Sequence, residues 1–377
     1  MGQPEAPRAL PQTTRELIRV LFLSVQLPFA ICLLMQKEAK GRLYRMELTY
    51  FAGIDIGGTK ISTLITDGEG KILGRAKKKS RALKGQETVL ERAAECCLEA
   101  AEAAGIKVTQ LQAIGVGAPS PILPDGTAVE ATNLGWKNVP VTKILSESLK
   151  RPVYAENDCN VGTYGEYALG GHGSSKMLVG LFMGTGLGGG IVKNGEILAG
   201  ENYMASEIGH MTVQVRGRPC GCGKRGCLEA YASKTGMGYA FKKSILLQKK
   251  KSVLEEMVED AGYDNIRSSL LKRAWVADDE VAKDTLRDAA SYLGVGVGNL
   301  ITLLGPSVVV LGGGVLEALG DELMPTVLKS AKEHTFPSRS FSDTRIELAS
   351  LGDDAVSLGA MAYARARDQE KTTSKHK

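Results

Sequence analysis

The sequence predicts an α/β fold in two halves. From Met46 onward, strand-like runs alternate with helical runs, the order that builds mixed α/β layers. A strand, a glycine turn and a second strand also occur twice, about one domain apart. That repeat implies duplicated lobes with a ligand held between their two hairpins.

The elements follow in order. Tyr50–Ile56 and Ile61–Thr66 read as strands joined by the turn Gly57-Gly58-Thr59-Lys60, with a third strand near Ile72. Glu87–Ala104 reads as a helix with an alanine-rich face, stopped by Gly105. Ala113–Val116 is a buried strand, Val141–Leu149 a helix, Val153–Ala155 a strand and Asn160–Ala168 a helix. The theme then recurs as strand Met177–Met183, turn Gly184–Gly190 and strand Ile191–Lys193. Ser233 to Leu303 is mainly helical, followed by strand Val308–Leu311, the turn Gly312-Gly313-Gly314 and a helix. Strand Arg345–Leu348 and helix Ala355–Arg367 close the fold, and the polar residues 368–377 are expected to be disordered.

Residues 1–47 are expected to lie outside the fold. Val20–Gln36 is free of charge and mostly apolar behind Arg8, Arg15 and Arg19. It is short for a membrane span of about 20 residues, Pro28 interrupts it, and no small-x-small cleavage site follows. Met46 stands immediately before the first strand, which favours a dispensable extension or a misassigned start over an anchor.

Composition narrows the function classes. The chain of 377 residues is 43% hydrophobic and 24% charged, ordinary for a globular protein. Residues 1–45 hold seven Lys/Arg against three Glu, so most of the +5 net charge lies there. The nearly neutral body lacks the basic asymmetry of a nucleic-acid binder, so no nucleic-acid partner is expected. Nor is a membrane contact expected for residues 48–377. Seven cysteines in 377 residues are not a disulfide scaffold, which suits a reducing, cytoplasmic setting. Cys96 and Cys97 fall in an apolar helical pattern and read as packing residues, while His172 and His334 read as surface residues.

The stretch SEIGHMTVQVRGRPCGCGKRGCLEA holds the strongest chemical signal. Cys220, Cys222 and Cys227, with His210 upstream, supply the three sulfurs and one nitrogen that tetrahedral zinc favours. Glu207 and Glu229 flank this run, so metal binding would draw the two acids together.

Gly184-Thr185-Gly186-Leu187-Gly188-Gly189 matches G-x-G-x-x-G, but a dinucleotide fold needs a helix directly after that turn. Here a short strand follows, and no Walker A loop occurs anywhere. The remaining reading is phosphate held by glycine-rich hairpin turns, whose bare N–H groups approach an anion closely. Gly57, Gly58, Thr59 and Lys60 offer N–H groups, a hydroxyl and a cation, and Asp55 just ahead could hold Mg²⁺. Gly312, Gly313 and Gly314 end a strand and complete the pattern of a nucleotide cleft.

Five ordered motifs then resemble the ROK family of repressors, open reading frames and sugar kinases. They are Asp55-Ile-Gly-Gly-Thr-Lys60, Glu156-Asn-Asp158, Gly184–Gly190, Glu207-Ile-Gly-His210 and Cys220–Cys227, within residues 48–367. The resemblance implies an actin-like, ribonuclease-H-like pair of lobes closing on ATP and a hexose. The first lobe would be residues 48–160 completed by helix 355–367. The second would be residues 161–354, with the zinc loop at 207–229. It makes Asp158 the catalytic base, and Asn133, Asn157, Glu207, His210 and Glu229 the ligands of the sugar hydroxyls. His210 would also ligate a structural zinc, one per chain, with the three cysteines. The glycine turns at 57–58 and 184–190 would hold phosphates, with Mg²⁺ accompanying ATP, and Gly312–Gly314 would lie by the adenosine.

By position alone Asp158 is a cap for the helix beginning near Cys159 or Asn160. A sugar hydroxyl needs a carboxylate to take its proton, and the resemblance assigns that work to Asp158. The family also implies a homodimer or homotetramer. The expected activity is a glucokinase-type phosphorylation of glucose, with fructose, allose, mannose or N-acetylmannosamine as alternative acceptors. A transcriptional repressor is a second class, but residues 1–47 are too short and apolar for a winged helix-turn-helix. Ser120 and Ser206 stand where family members usually have glycine, which bears on sugar preference.

Overall fold

The structure, a computed structural model, describes residues 49–258, 262–263 and 266–374. The expectation for residues 1–47 falls outside that range. The first sheet is built from β1 (Tyr50–Ile56), β2 (Lys60–Asp67) and β3 (Ile72–Lys79), then β4 (Leu111–Ala118) after helix α1 (Gln86–Ala103). A hairpin of β5 (Thr127–Ala131) and β6 (Trp136–Pro140) precedes helix α2 (Val141–Leu149) and strand β7 (Val153–Asn157). The strand order is β3-β2-β1-β4-β7, antiparallel through the first three and parallel through the rest.

Helix α3 (Asp158–Leu169) leads to β8 (Met177–Met183), β9 (Leu187–Lys193) and β10 (Glu196–Ile197). Helices α4 (Lys234–Lys242), α5 (Leu254–Met257), α6 (Ser268–Val276) and α7 (Glu280–Leu304) follow. Strand β11 (Val308–Gly312), helices α8 (Gly314–Glu333) and α9 (Ser338–Asp343), strand β12 (Arg345–Leu348) and helix α10 (Ala355–Ser374) complete the chain. The second sheet runs β10-β9-β8-β11-β12 with the same antiparallel-then-parallel pattern. The repeated hairpin is therefore the start of two equivalent sheets. Each has its own apolar core, one around Ile54, Ile114 and Trp136 and one around Leu181, Phe241 and Leu293.

Two helices join the sheets. α10 lies on β1 and β4, where Gly53 and Gly115 have no side chain: a methyl at either would overlap the carbonyl oxygen of Ser357 or Ala360. α10 also crosses α3, and there a methyl on Gly359 would overlap the carbonyl of Val161. Backbone meets backbone at each crossing. Glu166, fully buried on α3, accepts from the Leu351 N–H at 2.8 Å and the Ser350 hydroxyl at 2.9 Å. Those bonds satisfy its carboxylate and pin the entry to α10.

Several expectations need correction. The lobe boundary at 160/161 falls inside α3, which packs on β8, β9 and α10 together. The tail beyond Arg367 is helical to Ser374, because Asp368 accepts from Gln112 at 3.0 Å and from Tyr154 at 3.1 Å. The glycine turn after β8 spans only Gly184–Gly186, since Leu187 to Gly190 belong to β9. β5, β6, β10 and α9 have no counterpart in the pattern reading. His172 is buried, with Nε2 3.8 Å from Glu347. Among the described residues, no helix is long and apolar enough to cross a membrane.

The crossings set a testable limit. Gly115→Ala should cost about 1–3 kcal/mol or more through overpacking, read as a lowered midpoint in thermal denaturation. Gly105→Ala, which meets no neighbour but has φ of 71°, should cost less.

Candidate functional site

The site begins at the N-terminus of α3. Asn157 is its cap, with Oδ1 accepting from the N–H groups of Cys159 at 2.9 Å and Asn160 at 3.0 Å. The capping role that position alone gave Asp158 thus falls mainly to Asn157. Asp158 Oδ1 accepts from the Cys159 N–H at 2.8 Å, which leaves Oδ2 outside the cap. Behind them, Glu156 Oε1 accepts from Asn157 N–H at 2.8 Å and Asn160 Nδ2 at 3.1 Å.

Burial raises the Asp158 carboxyl above the usual aspartate range, against the lowering effect of the Cys159 N–H. Asp55, at the end of β1, is pushed up from 3.8 to about 7, chiefly by burial and then by the negative charge of Asp158. Lys60 pulls it the other way. An acid at the end of β1 is thus held partly neutral by burial and by an acid at the start of α3.

The cysteine stretch folds back on itself. Leu228 N–H donates to Met211 O at 2.9 Å, and Thr212 bridges to Cys227. His210, Cys220, Cys222 and Cys227 then present donor atoms all within 4.8 Å of one another. Cys222 Sγ and Cys227 Sγ are 3.7 Å apart, as are Cys220 Sγ and His210 Nδ1. A tetrahedron with arms of about 2.3 Å has edges of about 3.8 Å, so the set fits a four-coordinate ion. Nδ1 of His210 faces Cys220 Sγ, which leaves Nε2 for a second contact.

Glu207 and Glu229 end up beside this cluster. Burial raises the Glu207 carboxyl, His210 opposes the shift, and Asp158 and Glu229 reinforce it. Glu229 Oε2 accepts from the Leu187 N–H at 3.0 Å, so part of its carboxylate braces the second glycine turn. Gly186 must lack a side chain there, because a methyl would strike that oxygen.

The nucleotide candidates separate into two kinds. Gly57 N–H donates to Lys60 O at 2.9 Å, closing the first turn, and Ser80 Oγ donates to Gly58 O at 2.6 Å. Gly58 lies against Asn133. In the second turn, Gly184 N–H donates to Gly186 O at 2.9 Å, while Thr185 O accepts from the Thr235 hydroxyl at 2.9 Å. Gly188 and Gly189 sit in β9 instead, where the missing side chains make room for Cys159 and Ile208. Gly312 ends β11, Gly314 opens α8, and Gly313 between them has φ of 90° and faces the Met183 backbone. Burial raises the Glu317 carboxyl in the first turn of α8, Asp353 adds to the shift, and Lys60 of the first glycine turn opposes it.

A cleft of about 750 Å³ gathers Asn133, Asn157, Asp158, Glu207, His210 and Glu229 with Gly184, Gly186, Gly188, Gly189 and Gly313. Asp55, Gly57, Gly58, Thr59, Lys60, Thr185, Gly312 and Gly314 stand outside its lining. Ser120, Glu130, Cys159, Asn160, Phe182 and Tyr203 also line it, and the pattern reading assigned them no part in a site. Ser120 carried a signal as a departure from glycine, as did Ser206, which also lines the cleft. Ser120 Oγ accepts from the Glu130 N–H at 3.1 Å and ties two cleft walls together.

The profile of the ROK family matches residues 51–367. A glucokinase from Halalkalibacterium halodurans is 34% identical over 313 residues, covering 82% of this chain and 93% of that one. The crystal structure of a ROK family glucokinase from Streptomyces griseus, in complex with glucose and AMPPNP, is 30% identical with a TM-score of 0.74. It covers 85% of this chain and 99% of that chain. A putative xylose repressor from Caldicellulosiruptor sp. is 31% identical over 323 residues, covering 82% of this chain and 76% of the repressor. The paired sheets are those of the actin-like ATPase fold.

The raised Asp55 pKa has a consequence for stability. Its folded value exceeds its unfolded one, so the folded state loses stability as pH rises between 3.8 and about 7. In metal-free protein, Asp55→Asn should stabilise by on the order of 2–4 kcal/mol at pH 8. The gain should shrink at pH 5 and vanish near pH 4, followed by thermal denaturation.

Proposed function

The chain belongs to the ROK family, and from that premise we propose that it transfers the γ-phosphoryl group of ATP to the 6-hydroxyl of a hexose. Glucose is the leading acceptor, and Asp158 is the general base. One observation carries this reading: Asp158 shares a single cleft with Asn133, Glu207, His210 and Glu229 and with Gly184, Gly186 and Gly313.

The chemistry follows from that arrangement. Phosphoryl transfer depends on positioning and charge neutralisation more than on covalent catalysis. Asp158 Oδ2, free of the helix cap, would accept the hydroxyl proton as the oxygen attacks phosphorus. Its raised pKa makes it a stronger base than an exposed aspartate. Glu207, Asn133 and the Nε2 edge of His210 would hold the other hydroxyls and fix which one faces the base. The N–H groups of Gly58, Thr59, Thr185 and Gly186, with the N-terminus of α8 at Gly313, would receive phosphate oxygens, since those of Gly57 and Gly184 close their own turns. Asp55 would hold the Mg²⁺ that accompanies ATP, which supplies charge neutralisation and would return the carboxyl to its ionised form.

Zinc is the metal we assign to His210, Cys220, Cys222 and Cys227, one per chain, because three thiolates and an imidazole are its preferred structural set. Its contribution there is structural: it would hold Glu207, His210 and Glu229 in register. A sugar-responsive regulator is the second reading, favoured by the likeness to a putative xylose repressor. It predicts sugar binding without turnover.

Three measurements test these assignments. A coupled assay across glucose, fructose, allose, mannose and N-acetylmannosamine should show glucose turned over best, and no turnover of any would favour the regulator. Asp158→Asn should lower kcat by about 10²–10⁴ while calorimetry still detects sugar binding; the wild-type rate should fall with acid as Asp158 protonates, above the usual aspartate range. Elemental analysis should find about one zinc per chain, and Cys227→Ser should lose it and raise KM for sugar.

A further inference from the structure

Between β10 and Glu207 the chain forms a strap, residues 198–206, that the catalytic reading leaves without a task. Gly200, Tyr203 and Ser206 on it all have left-handed backbones, with φ of 75°, 60° and 69°. Glycine adopts that region freely, but a bulky aromatic there is strained, and such strain persists where surrounding structure holds a functional side chain in place. Beyond Leu198, whose N–H donates to Ile191 O at 2.8 Å, the strap is tied locally: Ala205 N–H donates to Ala199 O at 2.9 Å, Tyr203 N–H to Gly200 O at 3.2 Å and Ser206 Oγ to Leu198 O at 3.0 Å. Tyr203 is 43% exposed, so its ring is not there to fill a core.

Its place in the molecule is specific. Tyr203 lines the cleft of Asp158 and also a second cavity of about 690 Å³, and no other residue lines both. The two cavities otherwise part within single peptide units, at Pro121–Ile122 and at Glu156–Asn157. The second cavity offers the carboxylate of Glu156, the phenols of Tyr154 and Tyr363, and the guanidinium of Arg367. Lys371 Nζ stands 4.7 Å over the Tyr154 ring and the Arg367 guanidinium 5.3 Å over the Tyr363 ring, so this cavity offers the hydroxyls of a second sugar ring charged and phenolic hydrogen-bonding groups rather than open aromatic faces.

We propose that Tyr203 determines acceptor size. With its ring in place, the cleft takes one pyranose beside the phosphates. With the ring removed, the second cavity becomes an extension of the sugar site and takes the second ring of a disaccharide. This rests on the sugar-kinase reading, but it concerns a residue to which that reading gives no part.

The test compares wild type, Tyr203→Gly and Tyr203→Phe. Glycine relieves the left-handed backbone and opens the partition, whereas phenylalanine keeps the ring. Calorimetry without nucleotide and a coupled assay with ATP would both use glucose, maltose, cellobiose and trehalose. We expect Tyr203→Gly to raise the affinity and kcat/KM for at least one disaccharide, relative to glucose, by tenfold or more. Tyr203→Phe should stay within twofold of wild type. Unchanged ratios in Tyr203→Gly, or a phenylalanine variant that behaves like the glycine one, would overturn the assignment. If wild type binds hexose without transferring phosphate, only the kinase reading falls, and the binding ratios still decide the role of Tyr203. If wild type binds no sugar, both fall.

Discussion

The backbone contact between α3 and α10 is the constraint on which the rest of the molecule depends. Gly359 lets the two helices approach until only a carbonyl separates them, and Gly53 and Gly115 let α10 reach the first sheet as closely. The buried Glu166 carboxylate fixes the register of that contact through Ser350 and Leu351. Because α3 also packs on β8 and β9, one helix belongs structurally to both sheets. Its N-terminus carries Asn157 and Asp158, so the packing delivers the proposed base to the line where the lobes meet. Interiors packed this tightly transmit position faithfully.

Against that rigid frame, the site collects negative charge. Asp55, Asp158 and Glu207 are all raised by burial, and each is raised further by another acid of the site or the nucleotide turns, save Asp158, which burial alone raises. A fold that concentrates carboxylates in a partly desolvated cleft gives up stability at neutral pH. The arrangement makes sense where bound cations and substrate hydroxyls complete it. The His210–cysteine cluster serves the same end from the second lobe. It closes the loop that carries Glu207 and Glu229, and Glu229 in turn braces the turn at Gly186.

Much of this was legible in the order of residues. Strands β1, β8 and β12 and helix α2 match their expected limits, because each is a compact run whose period or β-branched content has one reading. The metal set was legible for a different reason: thiols clustered among glycines are rare without an ion to hold. Gly188 and Gly189 misled, since a glycine needed for phosphate and one needed for a passing cysteine or isoleucine look the same in sequence. The helical tail misled because its anchors, Gln112 and Tyr154, lie more than two hundred residues upstream.

By itself the sequence determined the two-lobed α/β plan, the four residues that the fold brings together as a candidate metal site and the identity of the acids around them. Those properties are local: they rest on periodicity, on spacing within a loop and on short motifs. Only the tertiary structure decided that Asn157 rather than Asp158 does most of the capping, that His210 turns Nδ1 to the thiols, and that Glu229 shares its carboxylate with Leu187. It alone placed Tyr203 between two cavities. The Leu187–Glu229 contact and the place of Tyr203 join segments well separated in the chain, while the cap and the His210 orientation are local and turn on which way a side chain rotates, which a residue pattern does not encode.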